Sequence, residues 1–475
     1  MYVSYTDGAG PYDGTAGYLQ KYNLTDKSWT DISPITDAFG YGGLTIDLQK
    51  PGTLMVATLN QWWPDANIWR STDSGKTWRG IWEWAPWPQK MFFDYDVSNA
   101  PWLYDPNSGE EFRKLVGWMI ESLTIDPFDS NHFLYGTGST IYGSRNALNW
   151  DNVDANNRNI TLESLATGIE ETSVQALLAP PVGPLLISAV GDITGFVHNN
   201  LDVAPTIYFK NPVWPTTRDL DYAGNVPTKV VRIGTDGSGS TKQVAISTDS
   251  GVTWAEHVGA PSTINNGAIA LSANGTSYVW RTGSGSVLVS TSDSAAFVDS
   301  SGIPSGAIIA ADRRADKCFY AASGNAFYAS SDGGVTFTQK TAFTTNSSAA
   351  AFEVVAHPTK QSDVWVSSSV GLHHSTNSGK TWKSISAVSQ GYNFSLGAPK
   401  TAGGYPAIYL VGVVDGIQGV YKSDDAGASW VKINDATKWG GGSPDGIPVS
   451  ADLRQYGRVF LGTNGRGIFQ ASPCY

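Results

Sequence analysis

The chain has 475 residues, of which 41% are apolar and only 15% charged, so it is long enough for two domains or one repeat array. Lys and Arg number 31 against 42 Asp and Glu, giving a net charge of -11 with no basic run, which argues against a nucleic-acid partner. No stretch approaches the roughly eighteen apolar residues of a membrane span, and 52 glycines with 18 tryptophans favour short strands and turns over helices.

A short phrase, STDSGKTW in its first copy, recurs along the chain, and its copies begin at Ser71, Ser247, Ser330, Ser375 and Ser423. One copy carries Asn377 where the others carry Asp, a change that a hydrogen-bond acceptor tolerates and a catalytic base does not. The phrase therefore predicts a turn held by a side-chain oxygen. The residues predicted to have this structural role, known as the Asp-box, are Asp73, Asp249, Asp332, Asn377 and Asp425.

The last three copies lie 45 and 48 residues apart, and each is preceded by apolar strands separated by short turns. A period in the forties with about four strands per unit is typical of β-propeller blades. The sequence thus predicts an all-β protein of tandem propellers. Residues 1–115 would form the last blades of an incomplete first propeller, and residues 116–475 a complete seven-bladed second one.

Two tryptophan-rich turns precede residue 115. Trp62 and Trp63 stand beside a Pro turn in NQWWPDANIW, and Trp87 lies between two prolines. An exposed indole gives apolar contact to the flat face of a sugar ring, whereas a buried indole packs between blades. For these three side chains, sugar stacking and a structural role both remain open.

Several longer phrases, including VGWMIESLTIDPFDSNHFLYGTG, AVGDITGF and GRVFLGTNGRGIF, together with the Asp-box repeats, resemble glycoside hydrolase family 74 over essentially the whole chain. The resemblance implies two seven-bladed propellers facing each other across an open cleft. There, two carboxylates, one from each propeller, cut the β-1,4-glucan backbone of xyloglucan with inversion. The expected partner is xyloglucan or a related β-glucan, and no cofactor is expected. A monomer is the expectation, although the sequence does not determine the oligomeric state.

By this resemblance, Asp192 in the phrase Gly191–Phe196 is the general acid. The apolar strand before it predicts a strand-end position in surroundings apolar enough to raise the pKa of its carboxyl group. The family's other carboxylate lies in a Thr-Asp-Ile-Gly-Gly-Ala phrase that has no counterpart here. The sequence therefore resembles an N-terminally truncated member, which we expect to hydrolyse its substrate feebly when alone.

The residues after Asp192 predict a long irregular stretch that includes Trp214 and DLDYAGN, Asp219 to Asn225. Loops on a propeller face often hold ligands. Trp214, Asp219, Tyr222 and His198 are therefore candidates for contacts with sugar, with solvated loop or surface roles as the alternative. The six histidines are scattered, and His373 and His374 would point to opposite faces of a strand, so no metal site is predicted.

Five Asn-x-Ser/Thr sequons, at Asn23, Asn159, Asn274, Asn346 and Asn393, favour a secreted glycoprotein, although the first residues do not read as a signal peptide. Cys318 and Cys474 permit one disulfide that sequence cannot assign.

The alternative from another class is a glycan-binding propeller without catalysis. A sortilin-like receptor and a sialidase are disfavoured, because a cysteine-rich segment after the propeller and an Arg-Ile-Pro start are both missing. Endo versus reducing-end action stays open.

Overall fold

The computed structural model describes residues 1–8, 10, 13–36, 39–85, 87–103, 115–138, 140–168, 172–236, 238–435 and 446–472. These residues are almost all strands and turns, with short 3-10 helices at Pro101–Leu103, Ala147–Asp151 and Ala155–Asn157. The chain is therefore all-β, as predicted. None of the helices in the described part is long and apolar enough to cross a membrane. The chain divides into two compact units, Met1–Ile169 and Glu170–Tyr475, called unit 1 and unit 2 here.

Unit 1 contains fourteen strands among its described residues, and their bounds are β1 Tyr2–Thr6, β2 Gly17–Tyr22, β3 Trp29–Asp31, β4 Tyr41–Ile46, β5 Leu54–Thr58, β6 Ile68–Ser71, β7 Arg79–Gly80, β8 Trp82–Glu83, β9 Lys90–Met91, β10 Phe93–Asp96, β11 Leu123–Asp126, β12 Asp129–Gly136, β13 Ile141–Ser144 and β14 Ile160–Ser164. Strands β1 to β3 and β4 to β7 form two antiparallel sheets, β8 and β9 pair with each other, and a third sheet has the order β10, β14, β13, β12, β11. The first strands β1, β4 and β11 lie side by side, as in successive propeller blades.

The residues just after 115 belong to unit 1, about fifty residues short of its end. Strand β10 pairs in parallel with β14, and Val116 and Ile120 pack in one core with Met55 and Ile68. The compact units are therefore divided after Ile169. The expected propeller boundary at residue 115 stays a prediction.

Unit 2 contains seven sheets in the described residues, built from β15 Val174–Leu178, β16 Leu186–Val190 and β17 Gly195–His198; β18 Thr216–Ala223, β19 Val226–Thr235, β20 Val244–Ser247 and β21 Ala255–Glu256; β22 Gly267–Leu271, β23 Tyr278–Thr282, β24 Val287–Ser290 and β25 Val298–Asp299; β26 Ile308–Ala311, β27 Phe319–Ser323, β28 Ala326–Ser330 and β29 Thr338–Gln339; β30 Ala351–Ala356, β31 Val364–Ser368, β32 Gly371–Ser375 and β33 Lys383–Ser384; β34 Val388–Pro399, β35 Pro406–Val414, β36 Ile417–Ser423 and β37 Val431–Lys432; and β38 Val449–Ala451, β39 Val459–Gly462 and β40 Ile468–Ala471. Every sheet is an antiparallel meander in chain order.

The seven sheets of unit 2 form a closed ring. Their first strands, β15, β18, β22, β26, β30, β34 and β38, lie side by side in that order, and the last sheet returns to the first. The Val174 N–H donates to the Thr463 carbonyl at 2.9 Å, and the Ala179 N–H donates to Ser450 Oγ at 2.9 Å. A ring of this kind leaves only short, protected sheet edges.

The second strands of the sheets are buried on both faces because each sheet is packed between two others. All five residues of β16, LISAV, and all five of β31, VWVSS, are buried. Such strands show continuous apolar or small-residue runs instead of alternation. Trp280 and Trp365, both fully buried, fill the space between neighbouring sheets.

The Asp-box phrases lie at the turn between the third and fourth strands of their sheets. In the first, Asp73 Oδ1 accepts hydrogen bonds from the N–H groups of Lys76 at 3.0 Å and Thr77 at 2.9 Å. Asp73 Oδ2 accepts the Thr77 hydroxyl at 2.6 Å. In the variant copy, Asn377 Oδ1 accepts the Thr381 N–H at 2.9 Å and its Nδ2 donates to Thr381 Oγ1 at 2.8 Å. The amide therefore completes the same turn with one bond reversed in direction.

Candidate active site

Asp192 lies in the hairpin turn between β16 and β17, and its side chain is exposed. The turn has an unusual backbone, with φ of 67° at Asp192, 58° at Thr194 and 157° at Gly195. A positive φ is rare for a β-branched residue such as threonine, and each such conformation costs about 1–3 kcal/mol. Surrounding contacts must therefore hold this turn in place.

Backbone hydrogen bonds tie the turn to two neighbouring segments. The Gly191 N–H donates to the Ser173 carbonyl at 2.8 Å, and the Thr194 N–H donates to the Pro215 carbonyl at 3.3 Å. The Asp192 N–H donates to Thr216 Oγ1 at 3.4 Å. No described residue donates a hydrogen bond to the Asp192 carboxyl group, which points to solvent and not into the apolar surroundings expected from the sequence. The oxygens of this carboxyl group are therefore open to a bound molecule.

Below the turn lies a buried guanidinium. Arg232, on β19, is fully buried and its guanidinium carbon lies 4.2 Å from the ring centre of Trp214, 4.8 Å from that of Trp254 and 5.1 Å from that of Phe209. We call these four residues the Arg232 cage. Guanidinium groups bind the faces of aromatic rings by cation–π attraction. The sequence contained no signal for this cluster, because its members come from three separate segments.

A polar network lies beside the same turn. Arg218 Nη1 donates to Gln175 Oε1 at 2.6 Å, and Gln175 Nε2 donates to Ser173 Oγ at 2.7 Å. Gly191 packs against Ser173 and Gln175. Arg218 and Gln175 are on the first strands of adjacent sheets, a position the sequence reveals only after the blades have been aligned.

The stretch Asp219–Asn225 is a strand and a tight turn, not the irregular loop expected from the sequence. Asp219 lies on β18, where Oδ2 accepts the Ile269 N–H at 2.8 Å and Oδ1 the Leu220 N–H at 2.9 Å. Burial raises the pKa of Asp219 to about 7. Its oxygens are occupied in joining β18 to β22, so the residue differs from the solvated sugar-binding group that was expected.

The other predicted sugar-contacting residues near Asp192 are also buried or partly buried. Trp214 is fully buried, and its Nε1 donates to the Lys242 carbonyl at 3.1 Å. Tyr222 is only 6% exposed and its ring lies under Arg313. Neither ring is open to a sugar in this structure, because the chain after the Asp192 hairpin folds back as a blade. His198 is partly buried on β17, where Nε2 and Ser188 Oγ are 2.8 Å apart, and burial lowers its pKa to about 4.

The tryptophans of unit 1 form an exposed cluster. Trp62 is 48% exposed, Trp63 66%, Trp84 59% and Trp87 51%. The rings of Trp63 and Trp87 are nearly parallel, with an interplanar angle of 3° and centres 6.2 Å apart. Flat, exposed indoles of this kind suit contact with pyranose rings. Asp65 beside them is buried, and its oxygens accept the N–H groups of residues 116 and 117.

No set of three or more His, Cys, Asp or Glu side chains in the described part of the chain could hold a metal ion. Cys474 lies outside the described residues, so its pairing with Cys318 stays open.

No protein-family model matches the chain. The chain is 42% identical over 489 residues to a xyloglucanase of Hypocrea jecorina and 40% identical over 492 residues to one of a Paenibacillus species. A solved GH74 xyloglucanase from Xanthomonas campestris superposes with a TM-score of 0.85 at 30% identity.

These alignments take in 99% or more of this chain, but 56% and 47% of the two relatives and 65% of the solved structure's chain. The chain thus spans about half the length of the curated relatives that it matches.

Proposed function

This chain belongs to glycoside hydrolase family 74, and from that premise we propose that it acts on xyloglucan with Asp192 as the general acid of an inverting hydrolysis. The observation that supports this role most directly is the exposed carboxyl group of Asp192 at the tip of a strained turn that its neighbours hold in place.

In an inverting reaction the protonated acid donates its proton to the glycosidic oxygen while that bond breaks. A second carboxylate removes a proton from a water molecule on the opposite face of the sugar, and the two carboxyl groups are about 6.5–9.5 Å apart. The exposed carboxyl group of Asp192, to which no described residue donates a hydrogen bond, supports the first of these two roles. The phrase that carries the second carboxylate in the family does not occur in this sequence, so we expect weak turnover by the chain alone.

The exposed Trp62, Trp63 and Trp87 support binding of a β-1,4-glucan chain by stacking. The same cluster favours the alternative function, a glycan-binding propeller without catalysis. The two functions differ in what Asp192 does.

Asp192→Asn tests the role of the acid. We expect it to abolish reducing-sugar release from tamarind-type xyloglucan while leaving the dissociation constant for xyloglucan oligosaccharides within about twofold, because the amide keeps its shape but cannot donate the proton. Asp202→Asn, an exposed aspartate just after β17, is the matched control and should behave as the wild type. Equal activity of wild type and Asp192→Asn would exclude Asp192 as the acid.

The assay should be run on the chain alone and in a mixture with a separately made N-terminal piece of a relative. Activity in the mixture only would support a second carboxylate outside this chain. Full activity alone would mean that both carboxylates are already present. The lengths of the released products distinguish endo cleavage from reducing-end cleavage.

Trp63→Ala tests the binding surface. We expect the dissociation constant for a xyloglucan oligosaccharide to rise about tenfold, equivalent to about 1.4 kcal/mol, because a stacked ring is lost. Trp29→Ala is the matched control, since Trp29 is 53% exposed but lies on β3, apart from the cluster in sequence. Equal losses in both variants would contradict a stacking role for Trp63.

We also place the protein outside the cell, with glycans at the exposed sequons. Asn23, Asn159, Asn274 and Asn346 are exposed, whereas Asn393 lies on β34 and its Nδ2 donates to the Ile447 carbonyl at 2.6 Å. Mass spectrometry of the protein secreted from a yeast host should find glycans at the first four and none at Asn393. Full occupancy of Asn393 would contradict this assignment.

A further inference from the structure

The turn that carries Asp192 is joined to a buried positive charge. Thr194, two residues after Asp192, is 1% exposed and its Oγ1 lies 3.2 Å from Thr217 Oγ1. Arg232 Nη1 donates long hydrogen bonds to both hydroxyls, at 3.4 Å and 3.5 Å. Because Thr216, next to Thr217, accepts the Asp192 N–H, the guanidinium touches both segments that hold Asp192.

Arg232 also holds a third segment. Its Nη2 donates to the Pro212 carbonyl at 2.5 Å and to the Lys210 carbonyl at 3.2 Å. The chain between these carbonyls and β18 contains Trp214, which stacks on the same guanidinium. One side chain therefore connects the Asp192 turn, the 210–212 segment and strand β18.

The burial of this guanidinium is costly. No carboxylate among the described residues pairs with it, and its Nε has no hydrogen-bond partner. A buried charge without a counter-ion is a poor choice for packing alone, since an apolar side chain of similar length would fill the same space. The aromatic rings of the cage offset only part of this cost. Unlike an apolar side chain, the planar guanidinium can donate hydrogen bonds to several acceptors in fixed directions.

We propose that Arg232 is a positioning residue that fixes the direction of the Asp192 carboxyl group through Thr194 and Thr217. This inference depends on the proposed role of Asp192 as the acid. It assigns no contact between Arg232 and the substrate, because Arg232 is fully buried.

The test uses two substrates of the full chain, under the conditions in which the wild type turns over. Xyloglucan has a poor leaving group that needs a proton from the acid, whereas an aryl xyloglucan-oligosaccharide with an activated phenolate leaving group does not. For Arg232→Lys we expect kcat on xyloglucan to fall about 10- to 100-fold with KM within about twofold. The rate on the aryl glycoside should fall less than about threefold.

Two further variants keep the test decisive. Thr194→Val retains the shape of the side chain but removes the hydroxyl that accepts from Arg232, so it should reproduce the selective loss without disturbing the cage. Arg70→Lys is the matched control, because Arg70 is also a buried arginine but pairs with Asp151 in unit 1. It should leave the ratio of the two rates unchanged.

Amide hydrogen exchange of residues 190–196 provides a readout that needs no turnover. Exchange in this segment should become at least about fivefold faster in Arg232→Lys and Thr194→Val, but not in Arg70→Lys. Equal losses on both substrates, or unchanged exchange in 190–196, would overturn the positioning role. If wild type and Asp192→Asn are equally inactive even with the N-terminal piece, the proposed function fails and the exchange data alone decide the role of Arg232.

Discussion

At the scale of single residues, the five Asp-box turns are each held by the oxygen of one short side chain. Asp73 and Asp425 each accept a hydroxyl and a backbone N–H two to four residues away, and these bonds favour the ionised form. The hydrogen bond from the Thr77 hydroxyl, with the backbone bonds, lowers the pKa of Asp73 to about 2. Asn377 makes the turn without any charge.

This difference predicts a dependence on pH. A carboxylate whose pKa is depressed on folding stabilises the folded state above its unfolded pKa of 3.8, and this stability is lost as the pH falls towards about 2. Asp73→Asn should therefore lower the free energy of unfolding at pH 7 by about 0.5 kcal/mol, a small value because the side chain is only partly buried and solvent screens its charge. The deficit should be clearly smaller at pH 2.5, where most of the contribution of the carboxylate has been lost.

Thermal unfolding of both proteins at the two pH values measures this effect. Asn377→Asp is the reciprocal variant and should make the chain more sensitive to acid. A deficit for Asp73→Asn that is as large at pH 2.5 as at pH 7 would show that the charge is irrelevant to the turn.

At the scale of elements, carboxyl groups on the first strands of two sheets in unit 2 accept backbone hydrogen bonds from the next sheet. Asp219 on β18 accepts the Ile269 N–H of β22, and Glu353 on β30 accepts the Phe394 N–H of β34 at 2.9 Å. Burial raises the pKa of Glu353 to about 8, and Asp219 adds to the increase. The ring is thus joined partly by acids that hold a proton near neutral pH.

Glu353→Gln tests the contribution of this hydrogen bond between sheets. Because the folded state raises the pKa of Glu353 from 4.5 to about 8, its contribution to stability is present at pH 4.5 and is lost as the pH rises through about 8. The glutamine keeps an acceptor for Phe394 but cannot ionise. The melting temperature of the Glu353→Gln variant should therefore match that of the wild type at pH 5 and exceed it at pH 8.5.

Glu256→Gln, an exposed glutamate on β21, is the control and should show no such change. A melting temperature of Glu353→Gln that stays below that of the wild type at pH 8.5 would argue that the ionised group stabilises the ring.

At the scale of the whole molecule, unit 2 has the connections of an independent folding unit. Its first and last sheets bond to each other through Val174 and Thr463 and through Ala179 and Ser450. Because residues far apart in the chain close the ring, we expect the last sheet to matter for the stability of unit 2 as much as the first.

We expect residues 172–475, expressed alone, to be monomeric and to unfold in one cooperative transition, because the ring closes within them. Residues 172–447, which lack β38 to β40, should lose this cooperativity, since the ring is then open. Size-exclusion chromatography and circular dichroism on heating test both fragments. Similar melting of the two would contradict the importance of closure.

How much the sequence could predict differs between these scales. The all-β class and the blades followed from repeated phrases, because turns and strands are determined by neighbouring residues. The position of Asp192 at a strand end could also be predicted, since the residues that determine it are contiguous in the sequence. The expected loop at Asp219–Asn225 was wrong because polar residues on an inner strand look like a loop until the backbone groups they bond are known.

The sequence by itself thus determined the repeated turns, the fold class, the family and the position of Asp192 at a strand end, because each depends on residues close together in the chain. Only the tertiary structure decided which polar and aromatic side chains are buried, where unit 1 ends and how the ring closes. Those features depend on contacts between distant segments, as when Arg232 meets Thr194, Pro212 and Trp214. Burial and long-range pairing leave no trace in local sequence, since the same Trp can face a sugar or a guanidinium.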